Sequence, residues 1–215
     1  MCRLTFNLDL QFCMNDSFSL FNLIDTSPLE ILSFALAIAM VLLNIRQSPW
    51  AWLFAITSAG LYAIVFCEAK IYGDMALQFV FVAISVWGWY QWLFGGSNRQ
   101  GVTVSRLNAR AWAMVALTWA LAYAIVATIL RTLTDTDVPH IDAFLTAGSL
   151  VAQYLLTRKM LENWHLWIII DLLYIGLYLH KNLYLTAVLY GLFAILAFVG
   201  LLAWKKSLTA KEPIA

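Results

Sequence analysis

Charge is what this sequence has least of. Only 12% of its 215 residues are Asp, Glu, Lys or Arg, against roughly 25% in soluble domains, and 63% are hydrophobic. A chain so poor in charge does not have water as its main solvent. The little charge it carries nearly balances, at +1 net, and leaves no footprint for nucleic acid or a strongly acidic partner. Cysteine is scarce too. Cys2, Cys13 and Cys67 show no paired spacing, so neither a disulfide framework nor a cysteine metal site is expected. Near the start Arg3 is soon followed by Asp9 and Asp16, with no basic stretch leading into a long apolar core, so a cleaved signal peptide is not expected. His140, His165 and His180 stand near the ends of apolar runs without metal-ligand spacing, which speaks against an intramembrane enzyme, and no cofactor is expected. No lysine occurs between Leu183 and Trp204, which excludes a retinal-type receptor.

What is present is a series of apolar runs near the roughly 20 residues that cross a bilayer. Seven are expected, at 28–45, 50–67, 72–94, 111–130, 141–156, 164–179 and 183–204, with a short interfacial helix at 18–24. The fold class is therefore all-α integral membrane, with lipid as the surrounding partner. Basic residues accumulate on the cytoplasmic side of membrane proteins. Arg46, Arg99, Arg106, Arg110, Arg158, Lys159, Lys205, Lys206 and Lys211 fall on one side. The other holds Arg3, Lys70, Arg131 and Lys181 with the acidic stretch from Thr134 to Asp137. A cytoplasmic C-terminus follows, with the N-terminus outside unless the 18–24 segment also crosses.

The chain also repeats itself. Sliding it by about 112 residues aligns Ala35 with Ala147, Arg46 with Arg158, Trp52 with Trp164, Tyr62 with Tyr174, Phe81 with Phe193, Gly88 with Gly200 and Trp92 with Trp204, without a gap. Three spans end on the far face, so a second copy in the same orientation needs one extra crossing, which 111–130 supplies. The expected architecture is 3+1+3, two parallel three-helix repeats about an axis near the membrane normal. The segments are an N-terminal piece at 1–27, a first repeat at 28–95, a basic loop and linker helix at 96–139, a second repeat at 140–204 and a tail at 205–215.

Polar side chains within spans are expensive and mark function. In the sixth span Asn163, Trp167 and Asp171 recur at i+4 steps, with Tyr174 one turn further, so all four share a helical face. The same offset puts Ala51, Ala55 and Ala59 on the matching face of the first repeat, suggesting that one repeat supplies the ligand's partners and the other leaves room. Gln78 and Gln153 add amides. Aromatic walls, amides and one carboxyl suit a flat heterocycle bearing hydroxyls, including a delocalised cation. Bland readings stand beside these. Trp50, Trp52, Trp164 and Trp167 lie near span ends, where tryptophan also serves as an interfacial anchor. Asn163 also fits a helix start, and the glutamines also fit interhelical hydrogen bonding. Glu30 and Asp142 fit the positive ends of helix dipoles.

Three stretches, IYGDMALQF, DAFLTAGSLVAQYLLTRKMLENWHLWIIIDLLY and KNLYLTAVLYGLF, resemble the bacterial PnuC family of nicotinamide riboside transporters. The likeness runs from Pro28 to Trp204. It implies the 3+1+3 arrangement, residence in the bacterial inner membrane, a homotrimer with one path per protomer, and facilitated diffusion made one-way by a cytoplasmic riboside kinase. It implies a substrate site lined by Asn163, Trp164, Trp167, Asp171, Gln78 and Gln153, to which Tyr174 and Trp52 are added as candidates. Relatives on a similar frame carry thiamine or other vitamins, so thiamine or riboflavin stands as the alternative substrate.

Overall fold

A computed structural model describes residues 28–68, 72–96, 99–134, 138–180 and 184–210. The segment at 18–24, Lys70, Lys181, residues 135–137 and the tail from 211 lie outside them. The described residues form seven α-helices: α1 (Pro28–Ile45), α2 (Ala51–Glu68), α3 (Tyr72–Phe94), α4 (Ala109–Leu133), α5 (Pro139–Thr157), α6 (Asn163–His180) and α7 (Tyr184–Thr209). Three stretches are long and apolar enough to cross a membrane by length and composition, Leu77–Phe94, Ala109–Leu133 and Ala187–Thr209. α7 continues past Trp204, and its last turns carry Lys205 and Lys206, whose long stems let the charge reach out while the backbone stays helical.

Local chemistry sets the helix ends. Asn108 caps α4 by accepting from the Ala111 N–H at 2.8 Å, and Arg131 stands in its last turn, where the dipole favours a cation. Pro139 opens α5, where its missing N–H costs nothing, and Asp142 sits in the first turn.

Neighbouring helices pack in sequence, α1 on α2, α2 on α3, α5 on α6 and α6 on α7, and two long-range contacts join the halves, α3 on α5 and α1 on α7. Among the described residues α4 packs chiefly on α5, through Trp119, whose indole N–H donates to the Phe144 carbonyl at 3.1 Å and whose ring covers Gly148. Its other faces expose Met114, Leu117, Leu121 and Ile125, an apolar surface that only lipid or another apolar body covers without penalty.

The turns α1–α2 and α5–α6 are built alike. Gln47 donates to Asn44 O at 3.0 Å and Lys159 to Leu156 O at 3.0 Å; Ser48 donates to Leu43 O at 2.9 Å and Met160 to Leu155 O at 3.0 Å. Gln47 and Lys159 both take positive φ, 56° and 50°, a conformation non-glycine residues rarely adopt. Each tryptophan following these turns lies edge-on to another, Trp52 to Trp92 and Trp164 to Trp204, with ring centroids 5.4 Å apart in both pairs. Each also lies on a glycine. A Cβ at Gly88 would come within 2.5 Å of the Trp52 ring, and one at Gly200 within 2.6 Å of the Trp164 ring.

The halves are tied by two crossed bonds. Trp92 Nε1 donates to the Leu156 carbonyl at 3.1 Å, and Trp204 Nε1 donates to the Asn44 carbonyl at 3.0 Å. Both bonds are buried, and the tryptophans sit in one apolar cluster with Trp52, Trp164, Leu156 and Leu161. Lys159 stands over the Trp92 ring at 4.4 Å. The loop before α4 is pinned to the same end. Ser105 N–H donates to Lys159 O at 3.1 Å, Leu161 N–H to Ser105 O at 2.9 Å, and Leu107 N–H to Glu162 Oε2 at 3.1 Å.

Candidate functional site

Between the halves lies a cavity of about 320 Å³, within the range of small-molecule sites. α6 supplies Trp164, Trp167 and Asp171, a stripe at i, i+3 and i+7 that a helix turns to one side. Across from it stand Val41 and Asn44 of α1, Tyr62 of α2 and Gln78 and Phe81 of α3. Gln153 and Leu156 of α5 and Tyr190 and Phe193 of α7 complete most of the wall. Several of these are matching places in the two halves: Val41 with Gln153, Asn44 with Leu156, Gln78 with Tyr190 and Phe81 with Phe193.

The wall is aromatic and amide, with one carboxyl. Among the described residues Asp171 is the only acidic one in the lining, no Lys, Arg or His joins it there, and it is 4% exposed. Gln153 is buried and Trp167 half-buried. Trp164 is held rigidly, edge-on to Trp204 and flat against Gly200, so its position is set by packing rather than by a ligand. Such a cavity can stack a planar ring, hydrogen-bond hydroxyls or an amide, and balance a positive charge. Among the described residues no group of His, Cys, Asp and Glu has a metal-holding arrangement.

Five of the eight residues expected from sequence line this cavity: Gln78, Gln153, Trp164, Trp167 and Asp171. The other three lie elsewhere. Asn163 is wholly buried, and its Nδ2 donates to the Met160 carbonyl at 2.6 Å, closing the turn before α6. Trp52 packs against Gly88 and Trp92. Tyr174 belongs to a stack with Tyr178 and Tyr190, at 5.8 and 4.6 Å, and reaches the cavity only through Tyr190. Ala51, Ala55 and Ala59 are buried but do not line the cavity. The halves meet where α1 packs on α7 and α3 on α5, so the room lies beside α1 and α3, with Tyr62 of α2 reaching it, rather than along the alanine face of α2. Asn44, Tyr62, Phe81, Tyr190 and Phe193 are wall residues that the helical-face reading passed over. Applying the repeat offset to Gln78 leads to Tyr190, a signal present in the sequence.

A larger hollow of about 470 Å³ lies between α4, α5 and α6, with Tyr123, His140 and His180 among apolar side chains. Tyr123 and His140 hydrogen-bond each other at 2.9 Å. That hollow lacks the convergent polar groups of the central cavity.

Residues 27–206 match the profile of the nicotinamide mononucleotide transporter family. The chain belongs to that family. It is thus a transporter of membrane-embedded helices rather than an enzyme. It is 26% identical over 187 residues to the nicotinamide riboside transporter PnuC of Escherichia coli strain K12, covering 73% of this chain and 76% of the relative. It is 27% identical over 180 residues to the riboflavin/roseoflavin transporter RibM of Streptomyces davaonensis, covering 79% and 80%. The crystal structure of the vitamin B3 transporter PnuC superposes with a TM-score of 0.68 at 25% identity, covering 88% of this chain and 86% of that one.

Proposed function

We propose that this transporter carries nicotinamide riboside across the bacterial inner membrane through the central cavity. One observation carries the reading: among the described residues the cavity has aromatic walls, amides, a single carboxyl and no basic side chain. Nicotinamide riboside is a flat pyridinium bearing a carboxamide and ribose hydroxyls, and each feature has a partner of matching chemistry there. Trp164 and Trp167 stack on the cationic ring, Gln78 and Gln153 bond the ribose hydroxyls or carboxamide, and Asp171 balances the charge. The likeness to PnuC of Escherichia coli supports the same substrate. Riboflavin is the second reading, supported by the likeness to RibM, but its neutral ring leaves Asp171 without a counter-charge.

The route is alternating access. The seven helices serve as seven spans, with α1–α3 and α5–α7 as parallel repeats joined by α4, and the repeats rock about the cavity. The duplicated turns, the paired positive-φ residues and the crossed tryptophan bonds support this arrangement. The excess of Arg and Lys at the end bearing Arg46, Arg158 and Lys205 supports a cytoplasmic C-terminus. Assembly as a homotrimer and trapping of the riboside by a cytoplasmic kinase rest on the family resemblance.

Uptake into proteoliposomes, measured side by side for nicotinamide riboside, riboflavin and thiamine, tests the substrate. Saturable flux of the riboside that the other two do not compete for is the expected result, and riboflavin flux without riboside flux overturns it.

A further inference from the structure

Asn44 carries a side chain that the architecture does not use. Asn44 and Leu156 hold matching places in the two halves, and each gives its main-chain carbonyl to a tryptophan of the other half. Both side chains then reach the cavity wall. At one of the two places leucine does everything the fold asks. The carboxamide at the other is therefore surplus to folding, and it is costly: Asn44 is 3% exposed, and its Oδ1 finds no donor among the described residues. A buried acceptor without a donor has given up its bond to water for nothing in return.

The unpartnered indole nitrogens make the contrast. Trp164 lines the cavity and its Nε1 has no acceptor, but the same is true of its counterpart Trp52, which is not on the wall. An unpartnered group at both places belongs to how the turns pack. Asn163 Oδ1 is also without a donor, but Asn163 stands off the wall and its Nδ2 is used in the turn, bonding the Met160 carbonyl, whereas the unpartnered Oδ1 of Asn44 belongs to a wall residue and calls for a different explanation.

We infer that Asn44 is a ligand-reading residue of the cavity, whose carboxamide turns inward and hydrogen-bonds a hydroxyl or amide of the bound molecule. The terminal torsion of asparagine is soft, so the turn needs no backbone movement, and the amide offers an acceptor and two donors. This places a polar contact on α1, opposite the Trp167 and Asp171 side, so that a bound molecule is held from both halves at once. The inference deepens the substrate reading above and rests on the same cavity being the site.

The test is titration calorimetry on the full chain in detergent, wild type against Asn44→Leu, the residue its counterpart already carries, with nicotinamide riboside and riboflavin as separate probes. Asn44→Leu is expected to weaken binding about five- to tenfold, the worth of one hydrogen bond. The melting temperature of the unliganded protein is expected to hold or rise, since an unpartnered buried acceptor has been removed, while the ligand-induced rise shrinks. Asn44→Ala serves if leucine does not fit, and must show the same weakening. If riboflavin binds instead of the riboside and Asn44→Leu weakens it, the substrate reading falls and this inference stands. If the probe that binds does so equally in wild type and variant, the inference is overturned, and the substrate reading stands where that probe is the riboside and falls where it is riboflavin alone.

Discussion

Among the described residues Asp171 is the one carboxyl on a wall otherwise made of rings, amides, a thioether and aliphatic groups. Its value to a ligand depends on the ligand's charge, which makes Asp171→Asn a test of substrate as well as site. The change keeps shape and hydrogen-bonding capacity while removing the charge. Loss of a charge-assisted contact is worth about 1.5–3 kcal/mol, or roughly ten- to hundredfold in affinity. Calorimetry is expected to show that loss for nicotinamide riboside and little change for neutral riboflavin. Equal losses for both would mean that Asp171 reads shape rather than charge. The glycines under the tryptophans make a second residue-scale test, because they are alike in packing and unlike in position. Gly88→Ala and Gly200→Ala each push a methyl against an indole ring, and overpacking of this kind costs about 1–3 kcal/mol. Both variants should melt at lower temperature. Only Gly200→Ala should also weaken ligand binding, because Trp164 is on the cavity wall and Trp52 is not.

At the scale of elements, the crossed bonds Trp92 to Leu156 and Trp204 to Asn44 hold α3 to α5 and α7 to α1. Replacing either indole by phenylalanine leaves a buried carbonyl without that donor, at about 1–3 kcal/mol each. If the two halves are equivalent, Trp92→Phe and Trp204→Phe lower the unfolding temperature by similar amounts in a thermal melt; a large effect from one alone would show the second bond to be incidental. The helices themselves were readable in advance, since apolar runs and polar breaks put their boundaries within a few residues of those observed at most ends. The repeat was legible because Trp, Gly and Arg recur at one offset, and the tryptophans and glycines among them make contacts of the same kind in both halves. The site was only half readable. Periodicity locates a helical face, and Trp167 and Asp171 are on the face that meets the cavity. It does not register that Asn163 is the first residue of α6, where a short amide side chain bonds the preceding turn instead of projecting with its face. Nor does it say which helix of the first half fronts the second. That is decided by packing of α1 on α7 and α3 on α5, which puts Asn44 of α1 and Phe81 of α3 on the wall, while α2 reaches it through Tyr62 and not through Ala51, Ala55 or Ala59.

Taken whole, the molecule holds its cavity between two halves that are joined by few polar ties, and the charge in that cavity bears on the energetics of transport. Among the described lining residues Asp171 has no basic neighbour, so these residues supply no positive charge to complement it. With a cationic substrate, the substrate itself is that charge, and the occupied cavity is nearly neutral without a coupling ion. In the proposed alternating-access cycle a nearly neutral complex would cross between the two access states without moving a large charge through lipid, whereas the empty carrier would return with its carboxyl unmatched by substrate. A carrier that returns empty without a co-ion would equilibrate its substrate rather than pump it. In liposomes without an ion gradient, internal nicotinamide riboside is therefore expected to rise to the external concentration and stop there. An imposed proton or sodium gradient is expected to leave that plateau unchanged, while an enzyme enclosed in the lumen that converts the riboside to a charged phosphate is expected to drive continued uptake. Accumulation of unmodified riboside above the external concentration under either gradient would show that an ion travels with it, and Asp171→Asn would then be expected to abolish the accumulation while leaving downhill flux.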